Sequence, residues 1–350
     1  MRLKLFDRKS DILKDMAKSP YVYIYGAGDF GRDIYHFLKA QEVYVQAYTV
    51  DDKYYDENRQ DMVRLRDCLA QIKQHNGYLI WGIAKPSALR DVLKRSDLPE
   101  IYLTYDTPQM WQDKMFAHKH EAEFAETREL FADEHSKKVF DAYLKIYDGD
   151  PFDDIELAED GTYFNTLTRN IRKGGMVDCG AYTGDSIQVF VSAYGRDRKI
   201  FAFEPDAKNY SMLLANTADL DVFAVPSGVW STQTILHFAS GKDAASGVQG
   251  DGTIQIKTET IDHVVGEHEI AFIKMDVEGS ELEALKGAVH VIQRDMPILA
   301  ISAYHKQEDL ITLPQFIAGC ENENFTYDLF LRHHGCTVPE LVLYGIPRKR

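Results

Sequence analysis

The chain has 350 residues, of which 45% are hydrophobic, and a formal net charge of −15. This length predicts two or three domains. The excess of acidic residues argues against a nucleic-acid partner, because such partners are bound through clustered lysine and arginine. The one dense basic cluster, residues 348–350, is typical of a solvated tail.

The composition also indicates a cellular compartment. No apolar run is long enough to span a bilayer, and the first residues lack the pattern of a signal peptide. The four cysteines are scattered and show no metal-ligand spacing. We therefore expect a reduced, cytoplasmic protein without a membrane span.

The first 110 residues predict a small α/β domain. An aromatic and β-branched strand at residues 21–25 precedes a Gly-rich turn and a helix that extends to about residue 40. Later elements are predicted as a strand at 43–50, a helix at 62–74, a strand at 78–83, a helix at 86–94 and a strand at 101–105. This alternation predicts a Rossmann-like parallel sheet of about four strands with helices on both faces.

The Gly-rich turn carries a nucleotide-binding pattern. Gly26, Gly28 and Gly31 complete Gly-x-Gly-x-x-Gly between a strand and a helix, and Asp51 lies 20 positions beyond Gly31. This spacing suits NAD or a nucleotide-linked sugar. The domain is short and lacks a second half for the rest of a dinucleotide. Three roles therefore stay open: a ligand-binding accessory domain, a structural or dimerising domain, and an active oxidoreductase.

Residues 111–160 predict a charged helical connector that packs on the second domain. Apolar positions recur at helical spacing at residues 121–128 and 134–145, and the Asp-Gly-Asp-Pro segment at 148–151 breaks the pattern.

From residue 161 to 350 strands and helices alternate again. Strand cores are predicted at residues 176–178, 200–203, 222–225, 271–275 and 298–302, with a hairpin-like insertion at 234–238 and 254–258. The last two strands, at 325–331 and 341–346, leave no room for a helix between them and must be antiparallel. The fold class is therefore α/β, with two Rossmann-like domains of which the second has seven strands.

The second domain opens with a nucleoside-binding pattern. The turn after its first strand contains Asp178, Gly180, Ala181, Tyr182 and Gly184, and Glu204-Pro205 ends the next strand, with Glu204 20 positions beyond Gly184. A carboxylate at that strand end can bind a ribose held over the first turn. The spacing Asp-x-Gly-x-x-x-Gly favours S-adenosylmethionine over NAD.

Several separated motifs resemble the FkbM family of O-methyltransferases. They are residues 272–288 (FIKMDVEGSELEALKGA), the turn at 178–184, Phe-Glu-Pro at 203–205, and the segments 301–310, 332–334 and 342–347. The resemblance covers about residues 122–350. It implies a class I methyltransferase fold, S-adenosylmethionine as the cofactor, and a hydroxyl acceptor, expected in a sugar of a polysaccharide or its nucleotide-linked precursor.

The resemblance also implies roles for the cofactor side. Glu204 would bind the ribose, and Asp178 would bind the cofactor's ammonium or else cap its own turn. Ser227 and Gly228, after the third strand, would lie near the adenine. Trp230 would stack on the adenine or belong to the core, and Ser246 falls in a loop similar to the family's substrate-side loop.

The acceptor side is expected at two strand ends. Asp276 would orient the acceptor hydroxyl and His305 would accept its proton, because an imidazole titrates near neutral pH. Asp276 and Glu278 could instead hold Mg²⁺, but no third acidic ligand is evident beside them, so we expect no metal. Glu281 and Glu283 are interpreted as acids of a helix's first turn, and His333 and His334 could face the same cleft.

The sequence thus predicts an S-adenosylmethionine-dependent O-methyltransferase with a small-molecule or carbohydrate acceptor, and allows a homodimer. Two rivals stay open. One is an oxidoreductase that uses NAD or a nucleotide-linked sugar in its N-terminal domain. The other is a non-catalytic ligand-binding protein.

Overall fold

The structure is a computed structural model that describes residues 2–7, 11–83, 92, 96–98, 100–105, 115–147, 156–158, 160–238, 254–334 and 340–350. The chain forms two compact units. The N-terminal unit comprises Met1–Ala117, Asp141–Leu157 and Gly335–Glu340, and the C-terminal unit comprises His118–Phe140, Ala158–His334 and Leu341–Arg350.

A six-stranded sheet forms the centre of the N-terminal unit. Its strands are β1 (Arg2–Asp7), β2 (Val22–Tyr25), β3 (Ala47–Val50), β4 (Met62–Arg64), β5 (Tyr78–Trp81) and β6 (Glu100–Tyr105). They pair in the order β1-β6-β5-β2-β3-β4, with parallel neighbours throughout. The helices are α1 (Ile12–Met16), α2 (Asp29–Ala40) and α3 (Leu65–His75). The parallel sheet is confirmed.

The prediction of about four strands is wrong, because β1 and β4 were missed. The short strand β4 lies where the sequence predicted the start of a helix. Arg64 has an extended backbone (φ −74°, ψ 144°), so α3 begins at Leu65. The predicted strand at 43–50 is shorter, since β3 begins at Ala47. The predicted helix at 86–94 lies almost wholly outside the described residues.

A seven-stranded sheet forms the centre of the C-terminal unit. Its strands are β7 (Gly175–Cys179), β8 (Ile200–Phe203), β9 (Val222–Val225), β13 (Ile270–Met275), β14 (Ile298–Ser302), β15 (Phe325–His333) and β16 (Leu341–Lys349). They pair in the order β15-β16-β14-β13-β7-β8-β9. The first five in chain order are parallel, and β15 and β16 are antiparallel, which confirms the predicted architecture.

A small separate sheet carries the predicted insertion. The strands β11 (Thr234–Phe238) and β12 (Ile254–Glu259) are antiparallel, as predicted. A two-residue strand, β10 (Gly228–Val229), pairs in parallel with β12 and was not predicted. Ser246 lies between β11 and β12, outside the described residues.

The remaining helices follow in chain order. They are α4 (Phe116–Lys119), α5 (Glu121–Arg128), α6 (Glu134–Tyr147), α7 (Asp185–Tyr194), α8 (Ala207–Asn216), α9 (Ile261–Val265), α10 (Glu281–Lys286), α11 (Val289–Asp295) and α12 (Asp309–Gly319). Within the described residues, no helix has the length and apolarity needed to cross a membrane. The predicted connector is divided between the units, and its helix α5 contacts α12 where Gln315 Nε2 donates to Thr127 Oγ1 at 3.0 Å.

Aromatic packing fixes the central strands of the C-terminal unit. Phe164, Phe190 and Phe272 form one cluster, with ring centroids 5.3–6.1 Å apart. All residues of β7, β8, β13 and β14 are buried. Parallel strands covered on both faces are apolar throughout rather than alternating, and their carboxyl ends meet at one edge of the sheet, where α/β proteins bind ligands.

Candidate active site

A cavity of about 830 Å³ lies at the carboxyl ends of β7, β8 and β13. Its lining comes from the turns after these strands and from the small sheet. The lining residues are Tyr163, Gly180, Tyr182, Asp185, Ser186, Phe203, Glu204, Pro205, Asp206, Ala207, Asn209, Ser227, Gly228, Val229, Leu236, Gln255, Ile256, Thr258, Lys274, Asp276, Val277, Glu278 and Ser280. All of them belong to the C-terminal unit.

The turn between β7 and α7 has room only for glycine at its first position. Gly180 has φ +75°, and a Cβ there would lie 2.0 Å from the carbonyl oxygen of Asp276. The chain thus brings the ends of β7 and β13 into direct contact. Ala181 is buried beneath the cavity, with its N–H donating to Phe203 O at 2.9 Å. Gly184 has φ +87° at the start of α7.

Glu204 is fixed at the cavity wall by two backbone donors. The N–H groups of Tyr182 and Asp206 donate to its two carboxylate oxygens, each at 2.9 Å. Burial raises the pKa of Glu204, and the two N–H bonds oppose that rise. Each oxygen keeps a further lone pair, so the carboxylate can accept two hydroxyls of a ribose. Pro205, Ser227 and Gly228 line the same cavity, and their roles toward a cofactor stay predictions.

Asp178 is not on the cavity wall. Its side chain is fully buried, with Oδ1 3.1 Å from Lys274 Nζ and Oδ2 accepting a hydrogen bond from Ser186 Oγ. Lys274 also donates to Gly180 O at 2.7 Å. Burial lowers the pKa of Lys274, but attraction by Asp178 and Asp276 outweighs it and the net shift is upward. The geometry supports the alternative in which Asp178 holds its own turn, and its contact with the cofactor's ammonium stays a prediction.

Two tyrosines hold Asp276 at the end of β13. Tyr163 Oη donates to Oδ2 and Tyr304 Oη donates to Oδ1, each at 3.1 Å. The Asp276 side chain is 30% exposed and lines the cavity. A carboxylate oriented in this way can accept a hydrogen bond from a hydroxyl group in the cavity.

His305 lies behind Asp276 rather than on the cavity wall. Its Nε2 is 3.6 Å from Asp276 Oδ1 and 3.5 Å from Glu278 Oε2, and its Nδ1 is 2.8 Å from Glu281 Oε1. Burial lowers its pKa, but Glu281 and the other two carboxylates raise it to about 9. The structure brings His305 and Asp276 together. However, a ring that carries its proton near neutral pH has no free nitrogen to act as a base, and that role stays a prediction.

Several site residues were missed by the sequence analysis. Lys274 had a visible signal, because a lone charge in the apolar strand β13 indicates a buried ion pair. Tyr163 and Ser186 had none. Conversely, His333 and His334 are buried and, like Trp230, do not line the cavity in the part of the chain that the structure describes. Glu281 and Glu283 do lie in the first turn of α10.

The N-terminal motif adopts the strand-turn-helix context that was predicted for it. Gly26 has φ +112° and its N–H donates to Thr49 O at 2.9 Å, next to the end of β3 and Asp51. A Cβ on Gly31 would lie 2.1 Å from Gly26 O, and a Cβ on Gly26 would lie 2.6 Å from Gly82 O, so packing requires both glycines. A Cβ on Gly28 would meet no described atom within 4 Å. A ligand at this turn stays a prediction.

Comparisons with known proteins agree with the geometry of the C-terminal unit. Residues 178–335 match the family model described as the methyltransferase FkbM domain. The hexuronic acid methyltransferase AglP of Haloferax volcanii is 31% identical over 118 residues, which cover 31% of this chain and 49% of that protein. The chain therefore spans about half the length of this relative.

The fold also resembles that of a solved structure. Methyltransferase FkbM from Methylobacillus flagellatus KT superposes with a TM-score of 0.57 over 96% of this chain and 93% of that chain, at 21% identity. At this identity the likeness shows a shared fold.

Proposed function

We propose that the chain transfers the methyl group of S-adenosylmethionine to a sugar hydroxyl, because residues 178–335 match the family model described as the methyltransferase FkbM domain. The observation that carries this proposal is the Glu204 carboxylate, fixed by two N–H groups beside the Gly180 turn. In that place it can bind the ribose of the cofactor, while the turn and the start of α7 supply N–H groups for the cofactor's carboxylate.

The charge of the cavity supports a cationic ligand. Five carboxylates line it: Asp185, Glu204, Asp206, Asp276 and Glu278. Lys274, the one lysine or arginine in the described lining, is held by Asp178 and Gly180. S-adenosylmethionine has a sulfonium and an ammonium against one carboxylate, so its net charge is positive. A dinucleotide brings a pyrophosphate, which these carboxylates would repel. We therefore place S-adenosylmethionine, rather than NAD, in this cavity.

The acceptor hydroxyl is proposed to bind at Asp276. As the hydroxyl oxygen bonds to the methyl carbon, the bond between that carbon and the sulfur breaks, and the hydroxyl proton passes to Asp276. Most of the rate can come from holding donor and acceptor in line. This proposal gives Asp276 the role of proton acceptor that the sequence predicted for His305. His305 would instead position Asp276, because its Nε2 lies 3.6 Å from Asp276 Oδ1 and its side chain is not in the described cavity lining.

A sugar acceptor is supported by one relative, whose name describes it as a hexuronic acid methyltransferase. O-methylation and a place in polysaccharide synthesis follow from that class of acceptor as proposals. A reducing, cytoplasmic location is supported by Cys68, Cys179 and Cys320, which are buried and free. A homodimer and the lack of a nucleic-acid partner stay predictions.

Methyl transfer can be tested with S-adenosylmethionine labelled in its methyl group. The full chain is incubated with a panel of sugars and nucleotide-linked sugars, and labelled products are identified by mass spectrometry. We expect label in an O-linked methyl group, and Asp276→Asn to lower turnover by roughly 10²–10⁴-fold, the scale of a lost general base, with cofactor affinity retained. Glu283→Gln serves as the control, because Glu283 is bound by Ser231 and Lys286. Label on nitrogen or carbon, or full turnover by Asp276→Asn, would contradict the proposal.

A further inference from the structure

Three carboxylates surround one imidazole beside the cavity. We call Asp276, Glu278, Glu281 and His305 the His305 cluster. The imidazole nitrogens lie 2.8–3.6 Å from an oxygen of each carboxylate. Glu281 is fully buried and His305 is 3% exposed. Glu281 is the buried carboxylate of the three, whereas the Asp276 and Glu278 side chains are 30% and 53% exposed. Buried charges in proteins are paired or bind metal ions.

Two buried atoms of the cluster have no hydrogen-bond partner among the described residues: Oε2 of Glu281 and Nδ1 of His305. Nδ1 lies 2.8 Å from Glu281 Oε1, a hydrogen-bond distance, but without hydrogen-bond alignment. Glu281 Oε1 accepts the N–H of Val277 at 3.0 Å, whereas Oε2 accepts no hydrogen bond from the part of the chain that the structure describes. A buried carboxylate oxygen and a buried imidazole nitrogen, both unsatisfied and adjacent, form a donor set that a cation would complete. The cation would displace the proton of the His305 ring to solvent, because a metal binds the neutral imidazole.

We propose that Asp276, Glu281 and His305 bind a divalent first-row cation such as Mn²⁺. One possible ligand atom from each residue lies within 4.8 Å of the other two. A cation with bonds of about 2.0–2.3 Å holds its ligand atoms at most roughly 4.5 Å apart, so small side-chain rotations close the site. Two carboxylates with an imidazole suit Mn²⁺ or Zn²⁺ better than Mg²⁺, which prefers oxygen ligands.

The groups around these ligands are already ordered. Tyr163 and Tyr304 donate to the two oxygens of Asp276, and Val277 N–H orients Glu281. Such outer hydrogen bonds are typical of metal sites, where they fix the ligands. No metal was expected from the sequence, because no third acidic ligand was evident beside Asp276 and Glu278. In the fold, Glu281 at the start of α10 and His305, shortly after β14, complete the set with Asp276.

The test is a titration of the full chain with Mn²⁺ after treatment with EDTA, without S-adenosylmethionine. Electron paramagnetic resonance and calorimetry should show one bound Mn²⁺ per chain, with nitrogen coupling from an imidazole ligand. Glu281→Gln and His305→Gln should each weaken binding by at least about tenfold, and His305→Gln should abolish the nitrogen coupling. Glu283→Gln, two positions along the same helix, should bind as the wild type does.

Failure to bind Mn²⁺ at about 1 mM, the weak end of protein sites, would overturn the proposal. So would binding that has no nitrogen coupling, or that both cluster variants retain. If the melting curve shows that a variant fails to fold, the presence or absence of nitrogen coupling in the wild type decides whether an imidazole binds the Mn²⁺. The cation site shares Asp276 with the proposed methyl transfer but is argued from different observations. Mn²⁺ binding is therefore measured without S-adenosylmethionine, and S-adenosylmethionine binding by the same EDTA-treated protein is measured separately, so that the failure of one proposal is distinguished from the failure of the other.

Discussion

At the scale of single residues, the candidate site is characterised by where its charged side chains lie and what neutralises them. The carboxylates that face the cavity are exposed to solvent or held by N–H and O–H donors, whereas Asp178 and Lys274 form a pair with 0% and 5% side-chain exposure. This pair lies at the junction of β7 and β13, which positions the Gly180 turn. Asp178 therefore contributes to the site through structure, whereas Lys274 also lines the cavity.

Removal of one member of that pair should destabilise the fold. We expect Lys274→Met to lower the free energy of unfolding by about 3–5 kcal/mol, because the Asp178 carboxylate would stay buried without its counter-ion. The control is Lys199→Met, which breaks an ion pair with Asp221 that is partly exposed and should cost about 1 kcal/mol or less. Urea denaturation measures both. Equal losses would mean that Lys274 is not a buried counter-ion.

Cofactor affinity should depend on pH through Glu204. Its pKa is raised by burial, so in the free protein it gains a proton at a higher pH than an exposed glutamate does. As pH falls, the carboxylate loses its charge and its capacity to accept two hydroxyl bonds, so S-adenosylmethionine should bind more weakly. Dissociation constants measured from about pH 8 to about pH 5 should rise in the wild type. In Glu204→Gln the dissociation constant should not rise as the pH falls. If it rises as much as in the wild type, a group other than Glu204 is responsible for the pH dependence.

At the scale of elements, strands were predictable where they are buried on both faces. Runs such as residues 200–203 and 298–302 coincide with β8 and β14 because central parallel strands need no alternation. The short strands β4 and β10 were missed, since two or three residues carry no periodicity. The contact between the Tyr163 hydroxyl and Asp276 could not be predicted from the sequence. It depends on the folded loop, in which Tyr163 has φ +62°.

The turn after β7 offers a test at this scale. In Gly180→Ala the new Cβ would lie 2.0 Å from Asp276 O at a φ of +75°. We expect a loss of at least about 2 kcal/mol of unfolding free energy and weaker cofactor binding. Gly319→Ala is the matched control, because a Cβ there meets no described atom within 4 Å and should change stability by about 0.5 kcal/mol or less. Similar melting curves for the two variants would contradict the close approach of β7 and β13.

At the scale of the whole molecule, two Rossmann-like units each present a glycine turn. The sequence favoured S-adenosylmethionine for the second turn and left the role of the first unit open. Every described residue that lines the C-terminal cavity belongs to the C-terminal unit. The N-terminal turn has two glycines that packing requires and one, Gly28, that packing does not. Variants at Glu204 and Gly28 therefore test ligand binding by the two units independently.

Calorimetric titration of the full chain with S-adenosylmethionine tests the central claim most directly. We predict one binding site per chain. Glu204→Ala should weaken binding by about 1–3 kcal/mol, the scale of charge-assisted hydrogen bonds, and Gly28→Val should leave the affinity unchanged. Titration with NAD should give no binding that depends on Glu204. No heat with S-adenosylmethionine, or binding that Gly28→Val abolishes and Glu204→Ala retains, would contradict the assignment of the methyl donor to the C-terminal cavity.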